Sequence, residues 1–306
     1  MAITAGYNGK IEFIEESSYG TTPATGQLDI PSDAVIRSNL QLHREVKRHY
    51  GITSHSAVDT TYHTKQYTLT FEYEVQQLKT SGEYHVDDHC IEYYSNYRDA
   101  NGDLQGLTFF YDCNGGAYRL YGGLVNKYSW DCTQDNAIHA TVEVIGIGWE
   151  AADTLGNLST YTTYGDLTGY SAIGETIETY EGSAITRSGV WGEGIKTGNF
   201  SIDNQCERLY KAGASEAQSI KPQYENIEGS CLVYASDGGH EEADDLLDGE
   251  EVNIVFASGA TSNQSHQFTF SNGAYTDVPL LYEVNMTGMT LDIKWGAEGV
   301  AYAAVS

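Results

Sequence analysis

Strict alternation of apolar and polar residues constrains this chain more than any other feature. In residues 66–75, QYTLTFEYEV, the apolar positions are Tyr67, Leu69, Phe71, Tyr73 and Val75. Side chains at every second position share one face of a strand, so this stretch has one face to bury and one to leave in water. LTFFYD, HATVEVIGIGW, VNIVFAS, HQFTFS and MTLDIKW carry the same period, some with a phase slip that predicts a bulge. The Asn-Gly pairs at 114–115 and 272–273 suit hairpin turns. The expected class is mostly β.

Two short stretches read as helices. Residues 86–94, VDDHCIEYY, put Val86, Cys90, Ile91 and Tyr94 on one side, with two Asp residues in the first turn, where acids favour the helix dipole. Residues 240–249, HEEADDLLDG, load acids at the start and close on Gly249. Each follows a strand, which prompts a search for repetition. Strand, loop, strand, helix and three further β stretches recur in the same order in both halves. Phe71 lies 160 residues before Cys231, as Leu40 does before Phe200, whereas Trp149 and Trp295 are 146 apart. The order predicts a duplication: a β-sandwich or barrel domain over 1–151 with an N-terminal arm at 1–35, a connector at 152–183, and a second such domain over 184–306. Each domain carries one short flanking helix.

The formal charge is −27, from 16 Lys and Arg against 43 Asp and Glu. Binding nucleic acid through a basic surface is excluded, because phosphate binding works by cations releasing counterions. Self-repulsion of this size destabilises the compact state, and at molar salt, where the Debye length is about 3 Å, the repulsion fades. A halophilic host fits that balance. A content of 40% hydrophobic residues with 24 Tyr is ample for a core. The five cysteines are scattered without a C-x-x-C, which reads as free thiols in a protein made in a cytoplasm. No signal-peptide pattern or apolar run of membrane-spanning length is visible, so no membrane insertion is expected.

Candidate chemistry is thin. His85 and His89 stand four apart with Asp87, Asp88 and Cys90 nearby, but no second ligand group completes a metal site. Residues 99–106, DANGDLQG, begin like a calcium loop, yet Leu104 and Phe110 occupy the positions that need Gly and Glu, which leaves a turn. No G-x-S-x-G is present. Among 43 acids a carboxylate pair arises by chance, so a glycosidase reading has no support without a cleft. No catalytic residue, cofactor or metal is therefore expected. Arg44, Lys47 and Arg48 gather in HREVKRHY within a chain so poor in cations. They read either as solvated edge-strand charge or as a basic contact for acids on a neighbouring copy.

The polar stretch EESSYGTTPA, residues 15–24, followed by LDIPSDAVIRSNLQL, resembles the start of the major tail tube proteins of tailed phages and tailed archaeal viruses. Glu16, Tyr19, Gly20, Thr21 and Pro23 carry the resemblance, with Ile30, Pro31 and Ser32. The later order of two β blocks, each with a long loop and a flanking helix, is also similar to that family. Acidity and longer second-half loops depart from common bacterial members and fit an archaeal, salt-adapted virus. The resemblance implies a self-assembling virion protein, made in the host cytoplasm, that stacks as rings into a hollow tail tube. Viral DNA passes through the tube without specific binding, and other tail proteins meet its ends. Rings close by joining strands of neighbouring subunits. A duplicated chain would make a pseudo-hexameric trimer, with a plain hexamer as the alternative. Glu16, Tyr19, Gly20, Thr21, Pro23, Arg44, Lys47 and Arg48 are the expected inter-subunit contacts. A β-sandwich adhesion or glycan-binding module is the competing reading.

Overall fold

The computed structural model describes residues 10–32, 34–50, 57–76, 90–113, 116–133, 136–152, 161–162, 184–187, 195–234, 240–258, 265–279 and 290–305. The first half contains β1 (Lys10–Glu15), β2 (Gly26–Gln27), β3 (Val35–Tyr50), β4 (Ala57–Glu74), α1 (Ile91–Tyr94), β5 (Leu107–Cys113), β6 (Gly116–Thr133), β7 (His139–Gly146) and β8 (Gly148–Ala152). A short β9 (Tyr161–Thr162) pairs with β2 in parallel. The second half contains β10 (Ala184–Arg187), β11 (Ile195–Asp203), β12 (Glu207–Tyr210), β13 (Ala217–Lys221), β14 (Asn226–Tyr234), α2 (His240–Asp248), β15 (Val252–Ala257), β16 (Ser265–Asp277), β17 (Thr290–Ala297) and β18 (Gly299–Val305). The protein is mostly β, with two short helices.

The two halves pair their strands in the same way. In the first, β1 pairs β5, β5 pairs β6, β6 pairs both β8 and β7, β7 pairs β4, and β4 pairs β3. In the second, β10, β15, β16, β18, β17, β14 and β11 repeat those pairings in turn. The register agrees to the residue. Leu40 faces Leu69, which faces Val144; Phe200 faces Gly229, which faces Trp295. Bulges fall at matching places, between Val35 and Arg37 and between Ile195 and Thr197, and again between Val125 and Lys127 and between Tyr275 and Asp277.

A left-handed residue marks the same point of each long strand, Gly122 at φ +58 and Asn272 at φ +49. Before it, the strand pairs within one sheet, with β5 and β8 or with β15 and β18; beyond it, the strand turns toward β7 or β17. A positive φ lets a strand bend sharply between layers, which glycine tolerates without penalty and asparagine at modest cost.

This corrects two sequence expectations. Asn272 and Gly273 are not a hairpin turn, because β16 runs through them and uses the pair to bend. Trp149 and Trp295 are not equivalents either: Trp149 lies on β8, opposite Leu120, while Trp295 lies on β17 in the place of Val144. The expected helix over 86–94 is described only from Cys90 onward, as α1, and the connector over 152–183 lies almost wholly outside the described residues.

A joint between β6 and β11 makes the two halves one sheet. Phe200 faces Trp130 and Ile202 faces Tyr128 across it, all four buried. Phe200 packs its ring centroid 5.5 Å from Trp130, 5.1 Å from Phe256 and 4.9 Å from both Phe268 and Phe270. The core is therefore continuous through the joint. Each helix is held to the strand that leads its half. Phe13 of β1 meets Tyr94 of α1 edge-on at 6.2 Å, and Arg187 of β10 ion-pairs with Asp245 of α2. Phe200→Ala should cost about 3–5 kcal/mol of unfolding free energy, measured by urea denaturation; a loss below about 1 kcal/mol, the scale of ordinary substitutions, would show that the two halves do not share a core.

Candidate functional site

Two features stand out once the sheet is assembled: a polar face that crosses both halves, and an unpaired edge at β3. Directly opposed residues share a face, so the register sorts the side chains. Tyr67, Leu69, Phe71 and Tyr73 point to the core with Val142, Val144, Tyr128, Trp130, Phe200 and Ile202. The other face carries one row of Arg37, Glu72, Thr141, Ser129, Ser201 and Glu228, and a second of Glu74, His139, Asp131, Asn199, Ser230 and Lys294. These rows line an open trough. Its local pairs are modest: Arg37 with Glu72, His139 Nδ1 3.6 Å from Glu72, and Lys294 Nζ 3.2 Å from Asp277.

Acids outnumber cations on this face. Glu72, Glu74, Asp131 and Glu143 come from the first half, and Asp203, Glu228, Asp277 and Asp292 from the second. Arg37, Lys127 and Lys294 oppose them, with His139 and His43 beside. Lys127 faces Glu143 at one position, and Asp277 faces Lys294 at the equivalent one, with the signs exchanged. Such a face attracts no polyanion.

The edge is β3. Among the described residues it pairs with β4 alone, and it ends the strand order. Leu42, Val46 and Tyr50 on it are 44%, 44% and 61% exposed. Beyond Gln66 on β4 the β3–β4 hairpin leaves β7 behind, and it carries Arg44, Lys47 and Arg48, all exposed. Arg44 lies over the Tyr62 ring at 4.7 Å, and Lys47 Nζ sits 3.3 Å from Glu45. The base of this arm is gripped by the β12–β13 hairpin of the second half. Tyr210 donates to the Lys65 carbonyl at 2.9 Å, and Lys65 Nζ meets Glu216 at 2.8 Å.

The EESSYGTTPA stretch is a knot within the chain. Glu16 is 3% exposed, and its carboxylate accepts from Gly20 N–H at 2.6 Å, Gly122 N–H at 2.8 Å and Thr108 Oγ1 at 2.6 Å. Tyr19 donates its hydroxyl to the Gly122 carbonyl at 3.1 Å and accepts from Ile220 N–H at 3.1 Å, so it ties the bend in β6 to the second half. Burial pushes the Tyr19 phenol pKa well up. Gly20 sits at φ +77, where a Cβ would come 2.7 Å from Ile147. Thr21 remains exposed and Pro23 half-buried. Glu16, Tyr19 and Gly20 therefore make these bonds inside the chain, and Tyr19 remains 37% exposed.

Cys90, Glu92 and His266 come together, all buried, with one donor atom from each within 4.8 Å of the others. Sequence reading noted Cys90 and missed the other two, since His266 lies in the opposite half. Every group is hydrogen-bonded. Glu92 accepts from Tyr73 at 2.5 Å and Tyr128 at 3.3 Å; His266 Nε2 donates to the Gln76 carbonyl at 2.9 Å; its Nδ1 lies 2.8 Å from Tyr302 Oη, which is 3.2 Å from Cys90 Sγ. Burial, then the Glu92 charge, drives the Cys90 thiol pKa well above its ordinary value, which disfavours the thiolate a metal or an electrophile needs. A satisfied polar core that joins the halves explains the cluster without an ion. His85 and His89 lie outside the described residues. Asp99 is a turn residue, as expected: its carboxylate accepts from Asn101 N–H at 2.8 Å and Asp103 N–H at 3.0 Å.

No protein-family model matches the chain, and no curated protein matches it. Glu16→Ala would leave the buried Gly122 N–H and the part-buried Gly20 N–H without their acceptor, while Thr108 Oγ1 keeps Thr22 Oγ1 at 3.2 Å, and each lost partner costs about 1–3 kcal/mol. It should therefore lower the melting temperature of the monomer; an unchanged melting temperature, with assembly alone impaired, would show that the stretch acts between subunits and not within the fold.

Proposed function

We propose that this protein is a structural subunit that assembles with copies of itself into rings, stacked as the hollow tail tube of a virus with a salt-rich host. The observation that carries the reading is the β6–β11 joint together with the outer edge of β3, which meets no strand among the described residues: the chain already links two like units by strand pairing and presents the strand that would make the next link. Repeating the link joins sheet to sheet until a closed barrel has no edge left. Two units per chain favour a trimer of pseudo-sixfold form, with a hexamer as the alternative.

The polar face then lines the bore. A DNA duct works by not holding DNA, and a face rich in Asp and Glu repels phosphate, so the polymer slides. The protein needs no catalytic group for this role, and the buried thiols and hydrogen-bonded Glu92 suit a scaffold. Stacking falls to surfaces such as the basic β3–β4 arm, which would meet acids on the next ring. The virion tail is the proposed location, with assembly in the host cytoplasm.

Electron microscopy of the purified chain at molar and at roughly 0.1 M salt, where screening lengths are about 3 Å and 10 Å, tests the reading. Tubes of uniform diameter, favoured by high salt, are expected. Monomers at every salt, with binding to a glycan, would overturn it in favour of an adhesion module.

A further inference from the structure

We propose that the joint between two copies repeats the joint inside one copy at the same register, with β3 standing for β11 and the end of the next copy's β16 standing for the middle of β6. The inference rests on the ring-forming reading above and adds its residue-level contact.

The duplication supplies the register. Within the chain, Asp203 faces Lys127 and Ile202 faces Tyr128. On β3, Leu42 and His43 hold the places of Ile202 and Asp203, because Leu42 faces Tyr67 as Ile202 faces the equivalent Ile227. On β16, Asp277 holds the place of Lys127: each follows the same bulge, and each faces an equivalent residue, Lys294 or Glu143. Val278 then corresponds to Tyr128. The transferred joint is antiparallel, with His43 opposite Asp277 and Leu42 opposite Val278 of the second copy.

Two observations favour that partner. Ile202 is fully buried inside the joint, while Leu42 in the same place is 44% exposed and Val278 half-buried, so apolar surface waits at the expected contact. A polar pair also survives the transfer, since Asp203 against Lys127 becomes His43, which can donate a hydrogen bond, against the Asp277 carboxylate. Pro279 replaces Ser129 and has no N–H, so the ladder must pass it through its neighbours.

The test is a disulfide between His43→Cys and Asp277→Cys in the full chain, formed by mild oxidation after assembly. Directly opposed antiparallel residues hold Cβ atoms about 4.5–5.5 Å apart, close to the spacing a disulfide needs. Covalent species that stop at three chains are expected, with none from either single variant. The offset pair Leu42→Cys and Asp277→Cys, whose side chains point to opposite faces, should not cross-link. Rings without the expected cross-link, or cross-linking of the offset pair instead, would overturn the register and leave the ring-forming reading intact. A wild-type chain that forms no rings would overturn both. A residue exchange covers the case in which the cysteine variant does not assemble. His43→Asp should cut the assembled fraction several-fold, and adding Asp277→His should restore it; absence of rescue would count against the joint.

Discussion

An unpaired strand edge governs this molecule. β3 is 16 residues long and offers one side of its backbone to β4; the other side, among the described residues, meets no strand. Backbone N–H and C=O groups in a row are a template for another strand, and natural sheets either blunt such an edge or use it. Here Arg37, Arg44, Lys47 and Arg48 blunt it against indiscriminate pairing, while Leu42 at 44% exposure keeps an apolar contact ready. On the proposed reading, a neighbouring copy fills this edge as β6 fills that of β11. β11, the equivalent strand, is paired by β6 and buries Phe200 and Ile202 where β3 leaves Leu40 and Leu42 partly in water.

Charge follows from that constraint. In the proposed tube the sheet closes on itself with its polar face inward, and that face carries Glu72, Glu143, Asp203 and Glu228 among few cations. The total of −27 extends the same sign over the whole chain. Concentrated acids repel one another as well as phosphate, and high salt weakens the first effect between neighbouring subunits. Hydrogen bonds and ring packing supply cohesion that salt does not screen, which explains the dense aromatic cluster around Phe200 and the fully bonded Glu92.

Alternation in residues 66–75 announced the β class, and recurring order announced the repeat, because both are local properties of a chain. Exact equivalences were hidden. Loops of different length make the offset 160 residues on β3 and β4 but 151 on β7, so Trp149 was matched to Trp295 when Val144 is the true counterpart. Asn272 and Gly273 carry turn chemistry, yet here a positive φ bends a strand instead of reversing it. Glu16 in a polar run looks solvent-facing, and only folding reveals the three donors around it. The cluster of Cys90, Glu92 and His266 joins residues from both halves and has no spacing to read.

Symmetry of the assembled ring tests the central claim most directly. If β3 closes each ring by repeating the β6–β11 joint, a cryo-EM average will show threefold symmetry with six similar lobes, and continuous strand density from β3 to the β16–β17 side of the next chain. True sixfold symmetry, or rings in which the outer edge of β3 meets no strand of the next chain, would contradict it.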